Sequence, residues 1–234
     1  MTTTEQISLK QKVLSENQRI AASLRQLYEA AGLLCLNLIS SPGSGKTALL
    51  EKTLEALGHE SPRLRVAVLT GDIQTDNDAR RLARYGYPVK QITTGGTCHL
   101  DGTMIERHLV DWDLNDIDIL FIENIGNLVC PAAYDLGEDW RVTLFSVTEG
   151  ADKPRKYPKM FHRSHAVVLN KIDLLPYTDV RLDDLVESVL AVSPEAVIFP
   201  VSCRTGEGLG AWIAWLAEHV RQSLRMSATA RKGI

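Results

Sequence analysis

No apolar run in this chain is long enough to cross a bilayer; the longest, such as LLCLNLI and ILFI, are the length of a strand. A surplus of one charge is also missing. The formal net charge is −3, so neither nucleic acid nor an anionic membrane surface is expected as a partner. Cysteine is scarce, at four residues. MTTTEQISLKQKV has no apolar core of a secretory signal, so a cytoplasmic chain is expected, with reduced thiols and no disulfides. Low-complexity stretches and internal repeats are absent. With 44% hydrophobic and 24% charged residues, the composition excludes a disordered chain.

What is present is alternation. The 234 residues suit one α/β domain with added termini. Residues 5–31 have helical spacing, with Val13, Asn17, Ile20, Leu24, Leu27 and Ala31 near one stripe and Gly32 as a stop. Asn17 interrupts that stripe, which predicts a half-docked helix. Strands are expected at 33–40, 65–70, 88–93, 118–124, 142–148, 165–170 and 196–202. Helices are expected at 47–57, 76–85, 101–110, 180–191 and 208–223, with fraying from Gln222. Repeated βα units of this length predict a mostly parallel sheet flanked by helices.

SSPGSGKT (40–47) lies between the first strand and its helix. It matches the phosphate-binding pattern G-x-x-x-x-G-K-[ST] at Gly45, Lys46 and Thr47, with Ser40 in place of the first glycine. Backbone N–H groups of Gly43, Ser44, Gly45, Lys46 and Thr47, continuing into Ala48, can wrap phosphate oxygens at a helix N-terminus. Lys46 would reach the β- and γ-phosphates, and Thr47 would bind Mg²⁺. DILFIENIG (118–126) is an apolar strand ending on Glu123, which would sit near the Mg²⁺ shell, with the Gly126 amide near the γ-phosphate. Asp72, after the second strand, is a candidate to contact Mg²⁺ or position water. Asp76 and Asp78 suit the start of the following helix.

NKID (170–173) follows a later strand. Asp173 can accept two hydrogen bonds from the guanine edge, Lys171 can lie over the base, and Asn170 opens the motif. VSCRTGEG (201–208) supplies a second base-contacting loop at Ser202 and Cys203, where Cys203 reads as packing. These loops select GTP/GDP over adenine nucleotides. The threonine-centred first switch of small signalling GTPases is missing. That favours the class of P-loop GTPases (SIMIBI) that dimerise face to face across their nucleotides.

Cys98 and His99 are adjacent in GGTCHLDG (95–102). By themselves they fit a metal site and an ordinary loop equally. A catalytic dyad is disfavoured, because adjacent side chains point apart and the nucleotide motifs already supply the chemistry. Cys35, mid-strand, reads as packing. His59, His108 and His219 read as solvated, and His162 and His165, at i,i+3, are weak as a metal pair.

Taken together, SSPGSGKT, TGDIQTDNDARRL, GGTCHLDG, FIENIGNLVCPAAYDLGE, SVTEGADKPRKYPKMF and NKIDLLPY resemble the hydrogenase nickel-insertion GTPase family (HypB type). The resemblance runs from about Lys10 to Glu218, and ENIGNLVCP is more specific than any P-loop match. It implies a GTPase domain at 33–221 after a helical extension at 1–32, while the polar, basic composition of 222–234 predicts a disordered tail. It also implies a Ni²⁺ or Zn²⁺ site at Cys98, His99 and Cys130. In a parallel sheet the loops carrying these residues both emerge at the carboxyl edge, so they can converge, and thiolate with imidazole suits either metal.

The implied activity is GTP hydrolysis coupled to nickel transfer in [NiFe] hydrogenase maturation, with a GTP-promoted homodimer. A nickel-delivery accessory protein and a hydrogenase large-subunit precursor are the implied partners. In such a dimer GADKPRKYP (150–158) is the segment expected to reach the partner's nucleotide, with Lys153 its candidate. Some family members carry an N-terminal Cys-rich or His-rich nickel motif; MTTTEQISLKQKV has neither, so tight nickel storage there is not expected. The alternatives are a urease-type or other metallocofactor GTPase, and a nucleotide-gated scaffold around a structural zinc. GTP turnover separates the scaffold from the enzymes.

The guanine assignment is directly testable. Asp173→Ala should keep the fold by circular dichroism yet lose about tenfold or more of the preference for GTP over ATP in competition binding, as expected when a buried polar partner of a base edge is removed. An unchanged preference contradicts it.

Overall fold

The computed structural model describes the backbone of residues 3–59 and 64–232 and the side chains of 11–59 and 64–224. Among the described residues the strands are β1 (Leu34–Ser40), β2 (Val66–Asp72), β3 (Val89–Thr93), β4 (Ile119–Glu123), β5 (Trp140–Ser146), β6 (Ala166–Asn170) and β7 (Val197–Pro200). They form one sheet in the order β3-β2-β4-β1-β5-β6-β7, and every pairing is parallel. The helices are α1 (Thr3–Ala31), α2 (Lys46–Leu57), α3 (Asn77–Ala83), α4 (Gly102–Leu109), α5 (Lys153–Lys156), α6 (Pro158–Phe161), α7 (Leu182–Leu190) and α8 (Leu209–Lys232). None is long and apolar enough to cross a membrane.

The period-two alternation of β1 assigns the layers. Leu34, Leu36 and Leu38 face a core shared with Leu49, Leu50 and Leu54 of α2 and with Trp212, Leu216 and Val220 of α8. Cys35 faces the other way, against Tyr28 and Leu24 of α1 and Ile105 of α4. Ile39, on that same face, packs with Met160 and Phe161 of α6 and Leu185 and Val189 of α7. With both faces covered, the strands read as continuous apolar runs. The carboxyl ends of β1, β2 and β4 lie side by side, where an open parallel sheet places its ligands.

Helix α1 is docked more fully than its sequence suggests. Asn17 is 5% exposed. Its Nδ2 donates to Asp135 O at 2.8 Å, and its Oδ1 accepts from Gly102 N at 2.8 Å. The polar residue that interrupts the apolar stripe is thus the one that ties the helix to α4 and to the loop before β5. The buried stripe also includes Ala21, Leu24 and Tyr28, whereas Val13 and Leu27 are exposed. Gly32, at φ 74°, ends the helix by donating to Tyr28 O, as C-terminal glycines do. Gly137, at φ 77°, lies so close to α1 that a Cβ there would meet Ala21 O and Arg25 N at 2.9 Å.

Other boundaries move for local reasons. β5 begins at Trp140 and stops at Ser146, because Ser146 and Glu149 form a capping box that turns the chain at Val147–Glu149. The short helices α5 and α6 break the segment before β6, each with a proline in its first turn. Helix α8 continues to Lys232, past the fraying expected from Gln222. His219 is not simply solvated: its ring lies 4.5 Å from that of Trp140 and 4.4 Å from that of Trp215.

Asn17→Ala leaves the Gly102 N–H without its buried acceptor. It should lower the unfolding free energy by about 1–3 kcal/mol in urea titration. An unchanged midpoint contradicts the docking role.

Candidate functional site

The loop from Ser41 to Gly45 joins β1 to α2 and takes a conformation that needs glycine. Gly43 and Gly45 have φ of 73° and 102°. A Cβ on Gly45 would also collide with Asn170 Nδ2. Ser40, in the position of the pattern's first glycine, is fully buried and accepts from Lys46 Nζ at 2.8 Å. Thr47 Oγ1 donates to Glu123 Oε1 at 2.7 Å, and Thr70 Oγ1 donates to the other oxygen at 3.1 Å. Burial pushes the Lys46 ammonium below its usual range and the Glu123 carboxyl above its own, and the two opposite charges partly offset those shifts.

Gly43, Gly45, Lys46, Thr47 and Glu123 line a cavity of about 740 Å³ together with Asp72–Thr75, Arg81 and Asn124–Gly126. That size is typical of a small-molecule site. Gly126 lies against the loop, since a Cβ there would be 3.0 Å from Pro42 Cα and 3.5 Å from Lys46 Nζ. Asp72 Oδ1 accepts from Thr75 N at 2.7 Å and Gln74 N at 2.8 Å. Partial burial opposes ionisation of Asp72, but these N–H groups outweigh it and hold its pKa below the usual value. The Thr47 hydroxyl and the Glu123 and Asp72 carboxylates are oxygen donors of the kind a hard divalent cation takes, so the residues present fit Mg²⁺.

NKID and SCRT meet beside this loop through Asn170, which is 2% exposed. Its Nδ2 donates to Ser44 O at 2.8 Å, while its Oδ1 accepts from Lys171 N at 2.8 Å and Cys203 N at 3.2 Å. Its amide therefore fastens the phosphate loop to both base loops. Lys171 adopts φ 66°, unusual for a non-glycine, and sends Nζ to Gly43 O at 2.7 Å. Asp173 Oδ1 accepts from Ser202 Oγ at 2.6 Å, and Arg204 Nη1 stands 3.6 Å from Oδ2. Burial pushes the Cys203 thiol up to about 11, which suits packing rather than reaction.

Lys153 Nζ lies 3.2 Å from Glu149 Oε2. Glu149 in turn accepts from the hydroxyls of Ser41 and Ser44. Sequence reasoning missed Glu149, although S-x-x-E at 146–149 is a readable capping signature.

The second cluster sits on the same sheet edge. After β3, Gly95 and Gly96 at φ 61° and 128° turn the chain, braced by reciprocal hydrogen bonds between Thr94 and Thr97. After β4, Asn127 Oδ1 accepts from Val129 N and Cys130 N. The two loops bring Cys98 Sγ within 2.9 Å of Cys130 Sγ. The ligand atoms of Cys98, His99 and Cys130 all lie within 4.8 Å of one another, and all three residues are half-buried. The His99 ring stacks on Tyr134 with centroids 3.9 Å apart. Its Nδ1 is buried without a hydrogen-bond partner. Burial also lowers the pKa of His99, favouring the neutral, ligating imidazole. A neutral imidazole grouped with two thiols fits a soft or borderline metal. His162 and His165 do not join such a group among the described residues.

A glycine-lined phosphate loop at the end of β1, a lysine and threonine opening α2, and a buried carboxylate at the end of an adjacent strand define a P-loop nucleotide-binding protein. The nucleotide-binding-domain pattern of the CobW/HypB/UreG family matches residues 34–200, and the chain belongs to that family, among its HypB-type hydrogenase maturation factors. It is 48% identical over 219 residues to the hydrogenase maturation factor HypB of Azotobacter chroococcum, an alignment covering 94% of this chain and 71% of that protein. It is similar to the crystal structure of HypB from Helicobacter pylori in complex with nickel, with TM-score 0.81 and 39% identity over 89% of this chain and 97% of that one. HypB from Archaeoglobus fulgidus has the same TM-score at 35% identity, covering 88% and 99%.

Asn170→Ala removes the fastening between three loops. GTP and GDP affinity should fall together, by about tenfold per 1.4 kcal/mol of lost ordering. Calorimetric titration checks this, and full affinity for both nucleotides contradicts it.

Proposed function

We propose that this chain binds and hydrolyses GTP and uses the cycle to pass nickel toward a [NiFe] hydrogenase precursor. The observation that carries the reading is the convergence, on one sheet edge, of a complete phosphate cradle and a Cys-His-Cys cluster with an unpartnered imidazole nitrogen. Its likeness to a nickel-bound HypB supports nickel as the cargo.

The chemistry follows from placement. Phosphoryl transfer to water needs positioning and charge stabilisation more than covalent help. Lys46, held by Ser40, directs its ammonium at the phosphates, and the loop N–H groups and the Gly126 amide surround them. Thr47, Glu123 and Asp72 would hold Mg²⁺, which when bound neutralises phosphate charge. Asp173 accepts from the guanine edge, with Ser202 and Cys203 on the second loop. Asn170 positions both base loops rather than touching the base. GTP-promoted homodimerisation would bring the Lys153 segment toward the partner's nucleotide, replacing its present pairing with Glu149. A cytoplasmic location, a nickel-delivery accessory protein upstream and the hydrogenase large-subunit precursor downstream complete the reading.

Nickel is substrate here, held between Cys98, His99 and Cys130. Three protein ligands leave a position open for water or for the ligand of a donor or acceptor, as transfer requires. Zn²⁺ would suit the same donors.

Two measurements test this together. Wild type should turn over GTP, and Lys46→Ala should lose that turnover by about a hundredfold or more, as removal of a main charge stabiliser does. Cys98→Ala and Cys130→Ala should lose Ni²⁺ and Zn²⁺ binding in equilibrium dialysis while keeping GDP affinity. Absence of turnover with or without metal leaves only a scaffold, and unchanged metal stoichiometry removes the assigned site.

A further inference from the structure

A buried polar chain runs from the phosphate-facing segment to both halves of the metal cluster. Asn124 follows Glu123, lines the nucleotide cavity and is 1% exposed. Its Oδ1 accepts from Ile125 N at 2.9 Å, within the phosphate-facing segment, and from Leu100 N at 3.2 Å, next to His99. Its Nδ2 donates to Asn37 Oδ1 at 3.3 Å.

Asn37 is a fully buried polar residue in the middle of the apolar central strand β1. Its Nδ2 donates to Glu138 Oε1 at 3.2 Å. That oxygen also accepts from Arg141 Nε at 2.9 Å and Nη2 at 2.6 Å. Arg141 finally donates to Ala132 O and Tyr134 O, in the loop that follows Cys130. Tyr134 is the ring stacked on His99.

A second contact meets the chain at the same place. Leu100 is packed so tightly on Gly71 that a Cβ there would be 2.9 Å from Leu100 Cδ1. Gly71 precedes Asp72 in the cavity wall. The cavity-wall segments that follow β2 and β4 therefore both touch the residue beside His99.

Burying two amides and an ion pair beside the central strand is costly unless each group is paired, and here their hydrogen bonds form one connected path. A core needing only adhesion would be served as well by apolar side chains. We propose that Asn124 and Asn37 are positioning residues that couple the nucleotide state to the geometry, and so the affinity, of the Cys98–His99–Cys130 site. The inference rests on the metal and nucleotide assignments made above. A shift of Ile125 and Gly126 on phosphate binding pulls on Asn124. That displaces Leu100 with His99 on one branch, and Glu138, Arg141 and Tyr134 on the other.

The experiment is a Ni²⁺ titration of the full chain, followed by the thiolate-to-nickel charge-transfer absorption, with GDP and with a non-hydrolysable GTP analogue. Wild type, Asn124→Ala and Asn37→Leu are compared, with nucleotide affinities and thermal midpoints measured alongside. In wild type the two nickel affinities should differ about fivefold or more, and in both variants by about twofold or less, since that range marks a real coupling between sites. Asn37→Leu, which lines neither site, should still bind nickel and both nucleotides and keeps the branched side-chain shape; Asn124→Ala, in the cavity wall, is titrated at saturating nucleotide. A variant that folds with the wild-type ratio overturns the coupling role, as does a wild type with equal affinities in the two states. Either result leaves the metal site standing. A wild type with no thiolate–nickel band removes the site itself, and the coupling with it.

Discussion

Glu123 is held at the end of β4 with Thr47 on one carboxylate oxygen and Thr70 on the other. It is 3% exposed, and Lys46 lies in the same pocket at 9%. A carboxylate and an ammonium withdrawn from water act on each other and on a ligand far more strongly than exposed charges do. The remaining architecture serves that arrangement. β4 must lie between β1 and β2, so that Thr47 and Thr70 approach from either side. Ser40 must be small, so that Lys46 can fold back over the end of β1.

The strand that ends at this carboxylate continues into Asn124, Gly126 and then Cys130. One short segment thus belongs to both sites. The proposed metal cluster suits exchange more than permanence: its three side chains are half-buried, the Cys98 loop turns on glycines between two threonines, and no fourth protein ligand joins it among the described residues. A closed site of four ligands would hold a structural zinc, while an open one suits a metal that has to leave. This contrast favours a transfer protein over a scaffold.

Much of this was legible in the sequence. The parallel sheet, its strand positions and the phosphate loop follow from periodicity and one motif. The Cys98–His99 pair could not be read alone, and only Cys130, on a loop from a neighbouring strand, gave it meaning. What stayed hidden were residues whose roles depend on contacts distant in sequence. Asn17 reads as a flaw in an apolar stripe, yet it docks the helix. Asn170 reads as part of a base motif, yet its amide joins three loops. Asn37 and Asn124 carry no local signature, because their partners lie up to about a hundred residues away. Ser146 stopped β5 through a capping box that was readable but was outweighed by the apolar run around it.

The proposed function requires nickel to sit on sulfur beside a GTP switch. X-ray absorption at the nickel edge, on protein loaded with one equivalent of Ni²⁺ and a GTP analogue and again with GDP, tests it most directly. Sulfur scatterers from both thiolates together with imidazole nitrogen are expected, in a shell whose geometry differs between the two nucleotides. A shell of nitrogen and oxygen alone, the same in both states, would contradict it.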